Sequence, residues 1–337
     1  MQNRHTQLQL KVGNLLNWFL QPKSACIDSE PDFVKKMLIE SISSSYDCID
    51  SSLIDSKEFK YTIPKINREK YSGKFLENVL KITDFFNENL DDEITDFILH
   101  GSLATLDFKK GWSDFDSIAI IKNSSLNSVS KMLKIRDTFF EIDRMLRQID
   151  AHQHHGVHFI TEKDLLMYPD LYMPHKLLSR SVSLSNGSFI SLHSRQSRQE
   201  QILRFISIYN TFESAAREGV LYHHAYDGEY LLQKFKNHKN AMYQLKYFLS
   251  VIVILPSYFS NILGHVFSKS ESIEFCRQHV SKANFKIIDS ASYARSTWTT
   301  WPVKNNIIPE TIISTIGENY LIDGYNLIRE MRHCLKI

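Results

Sequence analysis

The stretch from Phe97 to Ile121 limits the possible folds more than any other part of the sequence. An apolar run, Phe97-Ile-Leu-His100, leads into Gly101-Ser102. After a short connection, Asp114-Phe-Asp116 opens a second apolar run that ends at Ile121. Short apolar runs bounded by glycine, serine and aspartate are typical of strands joined by turns. This stretch therefore predicts two strands of one sheet, with a glycine and two carboxylates at the connection.

The residues on either side predict further elements of the same domain. Apolar residues at helical spacing predict one helix over 75–90 and another over about 126–148. Val157-His-Phe-Ile160 predicts a third strand, and Ser188-Phe-Ile-Ser-Leu192 predicts an edge strand added to the sheet. Residues 1 to about 70 indicate one or two helices and a loop. Helix, strand, turn, strand, helix, strand is the order of a small sheet flanked by helices.

After about residue 195 the pattern becomes helical. Pro256 and Pro302 separate several of the predicted helices, which cover 199–218, 227–236, 241–255, 257–267, 270–281 and 309–332. A chain of 337 residues is long enough for two domains. The sequence therefore predicts an α+β protein with an amino-terminal helical extension (1–70), a small sheet domain (71–194) and an all-helical carboxy-terminal domain (195–337).

Composition excludes several classes of protein. The chain is 43% hydrophobic and 23% charged, which excludes wholesale disorder, collagen and coiled coil. Its net charge of +2 argues against a protein whose main task is to coat nucleic acid. The four cysteines are far apart and form no CxxC pair, so neither a disulfide framework nor a cysteine zinc site is expected. This favours a cytoplasmic location.

One segment has the length of a membrane span. The 22 residues from Tyr247 to Ser268 contain no charged side chain, nominally enough to cross a bilayer. However, Pro256 and Gly264 interrupt the segment, together with several polar residues. Two core helices broken at Pro256 fit this pattern better than a transmembrane helix does. We therefore expect a soluble protein without a membrane partner.

The residues between 97 and 121 also suit the binding of phosphate and metal. A glycine just past a strand lets a phosphate approach the backbone closely, and Ser102 can offer it a hydroxyl and an amide N–H. Residues i and i+2 of a strand point to the same side, so Asp114 and Asp116 present two carboxylates to one place, while Phe115 points into the core. Such a pair repels unless a cation lies between its members, and its oxygens suit Mg²⁺.

This stretch resembles the signature of the DNA-polymerase-β-like (minimal) nucleotidyltransferase superfamily. In that superfamily a Gly-Ser is followed, about ten residues later, by Asp-x-Asp on the next strand. The resemblance implies a mixed nucleotidyltransferase sheet and the transfer of a nucleoside monophosphate from an NTP, ATP by default, with release of pyrophosphate. It assigns the triphosphate to Gly101 and Ser102, with Ser113 beside them. It assigns the metal, Mg²⁺ or Mn²⁺, to Asp114 and Asp116.

The superfamily usually has a third carboxylate on a later strand, and here that strand contains none. Its first candidate replacement is His158, because a neutral imidazole can accept a hydroxyl proton or ligate a metal. Asp150 is the second candidate. Strand alternation would also place His152, His154 and His158 on one face, which is a possible zinc set, although these histidines can equally have no ligand role. The site could be active with His158, active with one metal, or inactive.

The helical half contributes further candidates. In this superfamily a lysine of the helical domain often reaches the triphosphate, and Lys246 is the first candidate here, with Lys269 second. Trp298 and Trp301 could form a wall for an acceptor ring, and the segment from His223 to Glu229 could line an acceptor pocket. Arg217 and His223 loosely resemble the Arg-x₄₋₆-His motif of helical ribonuclease domains. Each of these features has a structural alternative, a core aromatic or a solvated helix face.

The resemblance implies an enzyme. Helical carboxy-terminal domains of this kind resemble those of small-molecule nucleotidyltransferases such as the aminoglycoside-modifying enzymes. This favours a small acceptor that bears a hydroxyl or a phosphate, and the near-zero net charge agrees with it. Two further hypotheses stay open: nucleotidylation of a protein or tRNA, as toxins and antitoxins perform, and a nucleotide sensor or scaffold that lost catalysis with its third carboxylate.

Overall fold

The computed structural model describes residues 2–49, 56–73, 76–109, 112–149, 156–168, 174–194, 198–219, 222–224, 232–234, 241–265, 267–298 and 310–337. The chain divides into two compact units. The first is Met1–Gln196 with Tyr226–Gly228, and the second is Ser197–Ala225 with Glu229–Ile337. The architecture is α+β, with small sheets and a helical carboxy-terminal region.

The first unit combines helices with six strands in its described part. Its helices are α1 (Gln2–Leu20), α2 (Asp32–Asp47), α3 (Glu77–Leu90), α4 (Gly101–Ala104), α5 (Asn123–Leu126), α6 (Val129–Ile149) and α7 (Glu162–Leu165). Its 3₁₀ helices are Pro22–Ser29, Arg68–Tyr71 and His175–Arg180. Its strands are β1 (Lys57–Ile63), β2 (Ile94–Leu99), β3 (Ser117–Ile121), β4 (His158–Thr161), β5 (Val182–Ser183) and β6 (Ser188–Ser194).

Four of these strands form a mixed sheet in the order β4-β3-β2-β5. β2 is antiparallel to β3 and to β5, whereas β3 is parallel to β4. All five residues of β3 are buried, as expected for a central strand that is covered on both faces. The register pairs Leu99 with Ser117 and Ile118 with His158. The prediction that the two apolar runs are neighbouring strands is confirmed.

The two faces of this sheet contact different layers. One face carries Phe97, Ala119 and Phe159, which belong to a core cluster with the apolar residues of α1, α2, α3 and α6. The opposite face carries isoleucines that pack with β1, β6 and the His175–Arg180 helix, namely Ile98, Ile118, Ile120 and Ile160. The site residues at the ends of β2, β3 and β4 are therefore held by packing on both sides.

The amino-terminal helix α1 lies along the outer edge of β4. The side-chain amide of Asn17 donates to the carbonyl of Phe159 at 2.7 Å, and its oxygen accepts the Phe159 N–H at 2.8 Å. An edge strand leaves such backbone groups unpaired unless something covers them. Asn17 thus takes the place of a further strand. Leu16 and Phe19 of the same helix are fully buried in the core cluster.

Strands β1 and β6 form a separate antiparallel sheet of two strands, which corrects the expected position of residues 188–192. These residues are a strand, but β5 occupies the edge of β2 and β6 pairs with β1 instead. Asp96 of β2 joins the two sheets, because its carboxylate accepts hydrogen bonds from Ser183 at 2.6 Å and Ser188 at 2.5 Å. Burial raises the pKa of Asp96.

The second unit is mainly helical in its described part. It contains α8 (Arg198–Glu218), β7 (Tyr222–His224), β8 (Leu232–Lys234), α9 (Ala241–Ile262), α10 (Lys269–Arg277), α11 (Lys282–Thr297), α12 (Glu310–Ile316) and α13 (Tyr320–Leu335). The prediction of a helix over 227–236 is wrong for the described residues 232–234, which form strand β8 and pair with β7. The expected helix over 309–332 is two helices, interrupted at Gly317 with φ +84°. Helix α11 was not predicted.

Pro256 does not break α9, contrary to the sequence prediction. Proline inside a helix costs about 3 kcal/mol, but burial of a Leu or Phe side chain contributes about 1.5–3 kcal/mol. Leu255 and Phe259 are both fully buried beside it, so packing outweighs the lost hydrogen bond. Within the described residues, Leu245–Ile262 alone is long and apolar enough to cross a membrane, and 67% of it is buried. A mostly buried core helix meets the same criteria of length and apolar composition.

Candidate functional site

The glycine and serine of the candidate site lie where β2 ends and α4 begins. His100 is the N-cap residue of α4, with an extended backbone (φ −131°, ψ −172°). Its N–H donates to the carbonyl of Asp116 at 2.9 Å, so the pairing of β2 with β3 continues one residue beyond the strands. Gly101 follows with φ +70°, a conformation that glycine adopts without steric cost. This turn carries Ser102 into the short helix α4.

The carboxylate of Asp116 lies directly against the backbone of Gly101. A Cβ atom placed on Gly101 would be 2.6 Å from Asp116 Oδ2 and 3.4 Å from Asp116 Cβ and Cγ. Real Cβ atoms do not approach other atoms so closely, so a larger residue at position 101 would displace the end of the Asp116 side chain, and the positive φ separately favours glycine. The second aspartate of the pair is thereby fixed beside the Gly101-Ser102 turn.

Phe115 is buried, as the sequence predicts, but Asp114 and Asp116 precede β3 instead of lying on it. Phe115 is fully buried in the core and lies 6.2 Å from Phe97 between ring centroids. Asp114 is 9% exposed and Asp116 is half-buried. The bond from the His100 N–H to the Asp116 carbonyl extends the strand period to Asp116, whose side chain is therefore on the face opposite to Phe115, whereas Asp114 is almost as buried as Phe115.

Ser113 closes the connection that leads to the carboxylate pair. Its Oγ accepts the N–H of Lys109 at 2.8 Å, and its own N–H donates to the Lys109 carbonyl, also at 2.8 Å. The Ser113 side chain is almost fully buried. This gives Ser113 a structural task in the connection, and its contact with a nucleotide stays a prediction.

Two histidines share the face of the sheet to which Asp116 belongs. His158 begins β4 opposite Ile118, two residues beyond Asp116 on β3. His100 comes directly after β2, the strand on the other side of β3, and follows Ile98 by two residues. Ile98 and Ile118 belong to one core cluster. Alternation thus places His100, Asp116 and His158 on one face at the same end of three adjacent strands.

Both imidazoles are neutral near pH 7. Burial lowers the pKa of His158 to about 4. Burial also lowers the pKa of His100 to about 4, with a smaller contribution from repulsion by His158. His158 was expected at the site and His100 was not, although the period-two spacing from Ile98 is a signal that identifies His100.

The carboxylate pair suits a divalent cation that shares its ligands with a substrate. Within the described ranges, no group of three or more His, Cys, Asp or Glu residues is placed to hold a metal ion. Asp114 and Asp116 supply hard oxygen donors, and Mg²⁺ commonly binds one or two carboxylates together with substrate phosphates and water. The residues therefore fit Mg²⁺ if a triphosphate completes its coordination. Asp150, His152 and His154, the alternative base and zinc ligands, lie outside the described residues.

The structure places the candidates of the helical half in different environments. Lys246 on α9 is only 1% exposed, which excludes a solvated helix face. Lys269 is exposed in the first turn of α10, and Arg217 forms an exposed ion pair with Glu218 at 3.3 Å. Trp298 is 1% exposed, so its ring belongs to the core of the helical unit rather than to an acceptor wall. Trp301, Asp227 and Glu229 lie outside the described residues.

Comparison with protein-family models, with curated proteins and with solved structures finds no match for this chain.

Proposed function

We propose that this protein is a metal-dependent nucleotidyltransferase. It would move a nucleoside monophosphate from an NTP, ATP by default, to a hydroxyl or phosphate of a small-molecule acceptor. We place the reaction in the cytoplasm, where the free thiols of Cys26, Cys48, Cys276 and Cys334 stay reduced. The mixed sheet, its order of elements and the resemblance of residues 97–121 support the family assignment.

The observation that carries the proposal is the contact between Asp116 and Gly101. A glycine followed by serine after a strand, and two aspartates before the next strand, are separately common features. Here the Asp116 carboxylate lies beside Gly101, since a Cβ atom placed on Gly101 would be 2.6 Å from Asp116 Oδ2. A phosphate bound at Gly101 and Ser102 would therefore be beside the carboxylate that holds the metal. This proximity is what metal-assisted phosphoryl transfer requires.

The proposed roles follow from this arrangement. Gly101 and Ser102 bind the triphosphate through backbone N–H groups and the Ser102 hydroxyl, and Asp114 and Asp116 bind Mg²⁺ or Mn²⁺. When bound, the cation neutralises charge on the phosphates. The acceptor oxygen forms a bond to the α-phosphorus while the bond between that phosphorus and the β-phosphate oxygen breaks. Pyrophosphate leaves with that electron pair, and the hydroxyl proton passes to the neutral imidazole of His158.

A second candidate function is nucleotide binding without transfer. The observation that favours it is the pKa of His158, about 4, because such an imidazole is a weak base near pH 7. A sensor or scaffold would keep Gly101, Ser102 and the carboxylate pair but release no pyrophosphate. Nucleotidylation of a protein or tRNA uses the same site with a different acceptor, so only the acceptor distinguishes it.

The experiment is pyrophosphate release from each of the four NTPs with Mg²⁺ or Mn²⁺, over sugar, sugar-phosphate, aminoglycoside, RNA and protein acceptors. The variants are Asp114→Asn and Asp116→Asn, and the matched control is Asp137→Asn, an exposed aspartate of α6. We expect each site variant to lose at least about 100-fold in rate, because it removes a ligand of the cation that would neutralise charge on the phosphates, and to keep its fold by circular dichroism. His158→Ala tests the base separately.

The outcomes separate the candidate functions. Release that depends on one acceptor would support the enzyme and identify its acceptor class. NTP binding by calorimetry without release over the whole panel would favour the sensor. Full activity of both Asp114→Asn and Asp116→Asn would show that the nucleotidyltransferase assignment is wrong.

A further inference from the structure

Leu106 combines two features that a leucine rarely has together. Its φ is +60°, and in the described part of the chain the only other residue besides glycine with a positive φ is Lys336. Its side chain is also 38% exposed, which places it among the exposed large apolar residues. Leucine is disfavoured in the left-handed region because its Cβ crowds the following carbonyl, whereas glycine adopts this conformation freely. Neither backbone geometry nor core packing therefore explains a leucine here.

The position of Leu106 connects it with the candidate site. Helix α4 begins at Gly101, Thr105 caps its end, and Leu106 follows, with its N–H directed to the Leu103 carbonyl at 3.4 Å. At a helical rise of 1.5 Å per residue, Leu106 lies about 8 Å from Gly101 along the axis. The residue thus stands on the connection between the Gly101-Ser102 turn and the carboxylate pair, and it belongs to the same compact unit as both.

We infer that Leu106 is a substrate-contacting residue whose exposed side chain packs on the apolar ring face of the nucleoside of the bound NTP. The inference rests on the proposed function, which puts the triphosphate at Gly101 and Ser102. A nucleoside tethered to that triphosphate extends from the turn that Leu106 follows by five residues. Strained residues persist at binding sites where their side chains serve the ligand, and an exposed leucine on a positive φ is such a residue.

The test measures nucleotide binding, which needs neither an acceptor nor turnover. Each of the four NTPs with Mg²⁺ is titrated by calorimetry into the full chain and into Leu106→Ala, Leu106→Gly and Leu106→Met. Burial of the exposed part of a leucine corresponds to a change in Kd of about fivefold. We therefore expect Kd to rise about fivefold in both Leu106→Ala and Leu106→Gly, and to stay within about twofold in Leu106→Met, which keeps the apolar bulk.

Unfolding in urea separates substrate contact from backbone strain. Leu106→Ala keeps the disfavoured backbone and Leu106→Gly relieves it, so Leu106→Gly should unfold at the higher urea concentration although both variants bind the NTP equally weakly. The control is Leu166→Ala, because Leu166 is 50% exposed in the same unit on a regular backbone (φ −73°). This variant should bind the NTP as the wild type does.

Two results would overturn the inference. One of them leaves the proposed function standing, and the other overturns the proposed function as well. If the wild type binds an NTP and Leu106→Ala binds it equally well, the contact with Leu106 is wrong and the proposed function stands. If the wild type binds none of the four NTPs, the proposed function fails and the inference fails with it.

Discussion

Replacement of Gly101 by alanine tests the geometry on which the candidate site depends. The added Cβ would lie 2.6 Å from Asp116 Oδ2, whereas ordinary contact begins at 3.4 Å, so the carboxylate must move by about 0.8 Å. A displacement of about 1 Å at a reacting centre can lower a rate by about 100-fold. The positive φ of +70° adds a backbone cost of about 1–2 kcal/mol for alanine. Gly101→Ala should therefore lose both rate and stability.

The assays are pyrophosphate release for the rate and urea unfolding for the stability. Gly219→Ala is the matched control, because Gly219 has φ +65° and no atom lies within 4 Å of its would-be Cβ. This variant has the backbone cost without a steric clash. Its free energy of unfolding should therefore fall by about 1–2 kcal/mol, while its rate of pyrophosphate release stays at the wild-type value.

A double variant isolates the clash itself. In an Asp116→Ala background the Oδ2 atom is gone, so Gly101→Ala should cost only what Gly219→Ala costs. Release of pyrophosphate by Gly101→Ala at the wild-type rate, or an equal loss of stability with and without the Asp116 carboxylate, would refute the assigned contact. The second of these results does not depend on the proposed activity.

Two more predictions concern the first unit. Asn17→Ala should lower the free energy of unfolding by about 2–3 kcal/mol, because it leaves the N–H and carbonyl of Phe159 unpaired. Urea unfolding measures this loss. The control is Asn89→Ala, which removes one hydrogen bond within its own helix and should lower the free energy of unfolding by less. His175 is fully buried, and burial, with a smaller contribution from Lys176, lowers its pKa from 6.5 to about 4. Between pH 4 and pH 6.5, His175 therefore takes up a proton when the protein unfolds. The stability that its neutral imidazole contributes is complete above pH 6.5 and declines as the pH falls towards 4. In this window the free energy of unfolding of the wild type should fall by about 1.4 kcal/mol more per pH unit than that of His175→Phe. Equal pH dependence of the two unfolding free energies would contradict the assigned burial of His175.

The sequence predicts best those elements whose signal lies within their own residues. Helix α3, strands β2, β3 and β4 and most of α6 each show their period directly, and the structure has them within a few residues of the expected bounds. The capping of α7 is equally local: Thr161 accepts the N–H of Asp164 at 3.2 Å, and the Asp164 carboxylate accepts the Thr161 N–H at 2.8 Å. Such features require no knowledge of distant partners.

The sequence predictions are wrong where contacts with residues far away in the chain determine the structure. Phe59, Tyr61 and Ile63 alternate as in a strand, but this strand pairs with residues about 130 positions later, and the sequence predicts only helices and a loop there. Pro256 reads as a helix break, and only the packing around it makes the helix continuous. In α11, Ala291 and Ala294 are buried but too small to contribute clearly to a hydrophobic pattern.

The candidate site divides in the same way. Gly101, Ser102, Asp114 and Asp116 are recognisable from their spacing along the chain. The contact of Asp116 with Gly101 depends on the pairing of His100 with Asp116, which no local pattern gives. The backbone conformation of Leu106 is likewise invisible in the sequence, because leucine is not a residue that predicts a positive φ.

The position of Asn17 on the edge of β4 has a consequence for the order in which the protein is made. Helix α1 leaves the ribosome early, but the residue that it pairs with follows 142 positions later. At about 5–20 residues per second, α1 waits roughly 7–30 s for its partner. During this time its apolar face has no sheet edge to cover. The first unit can therefore close only after β4 has been synthesised.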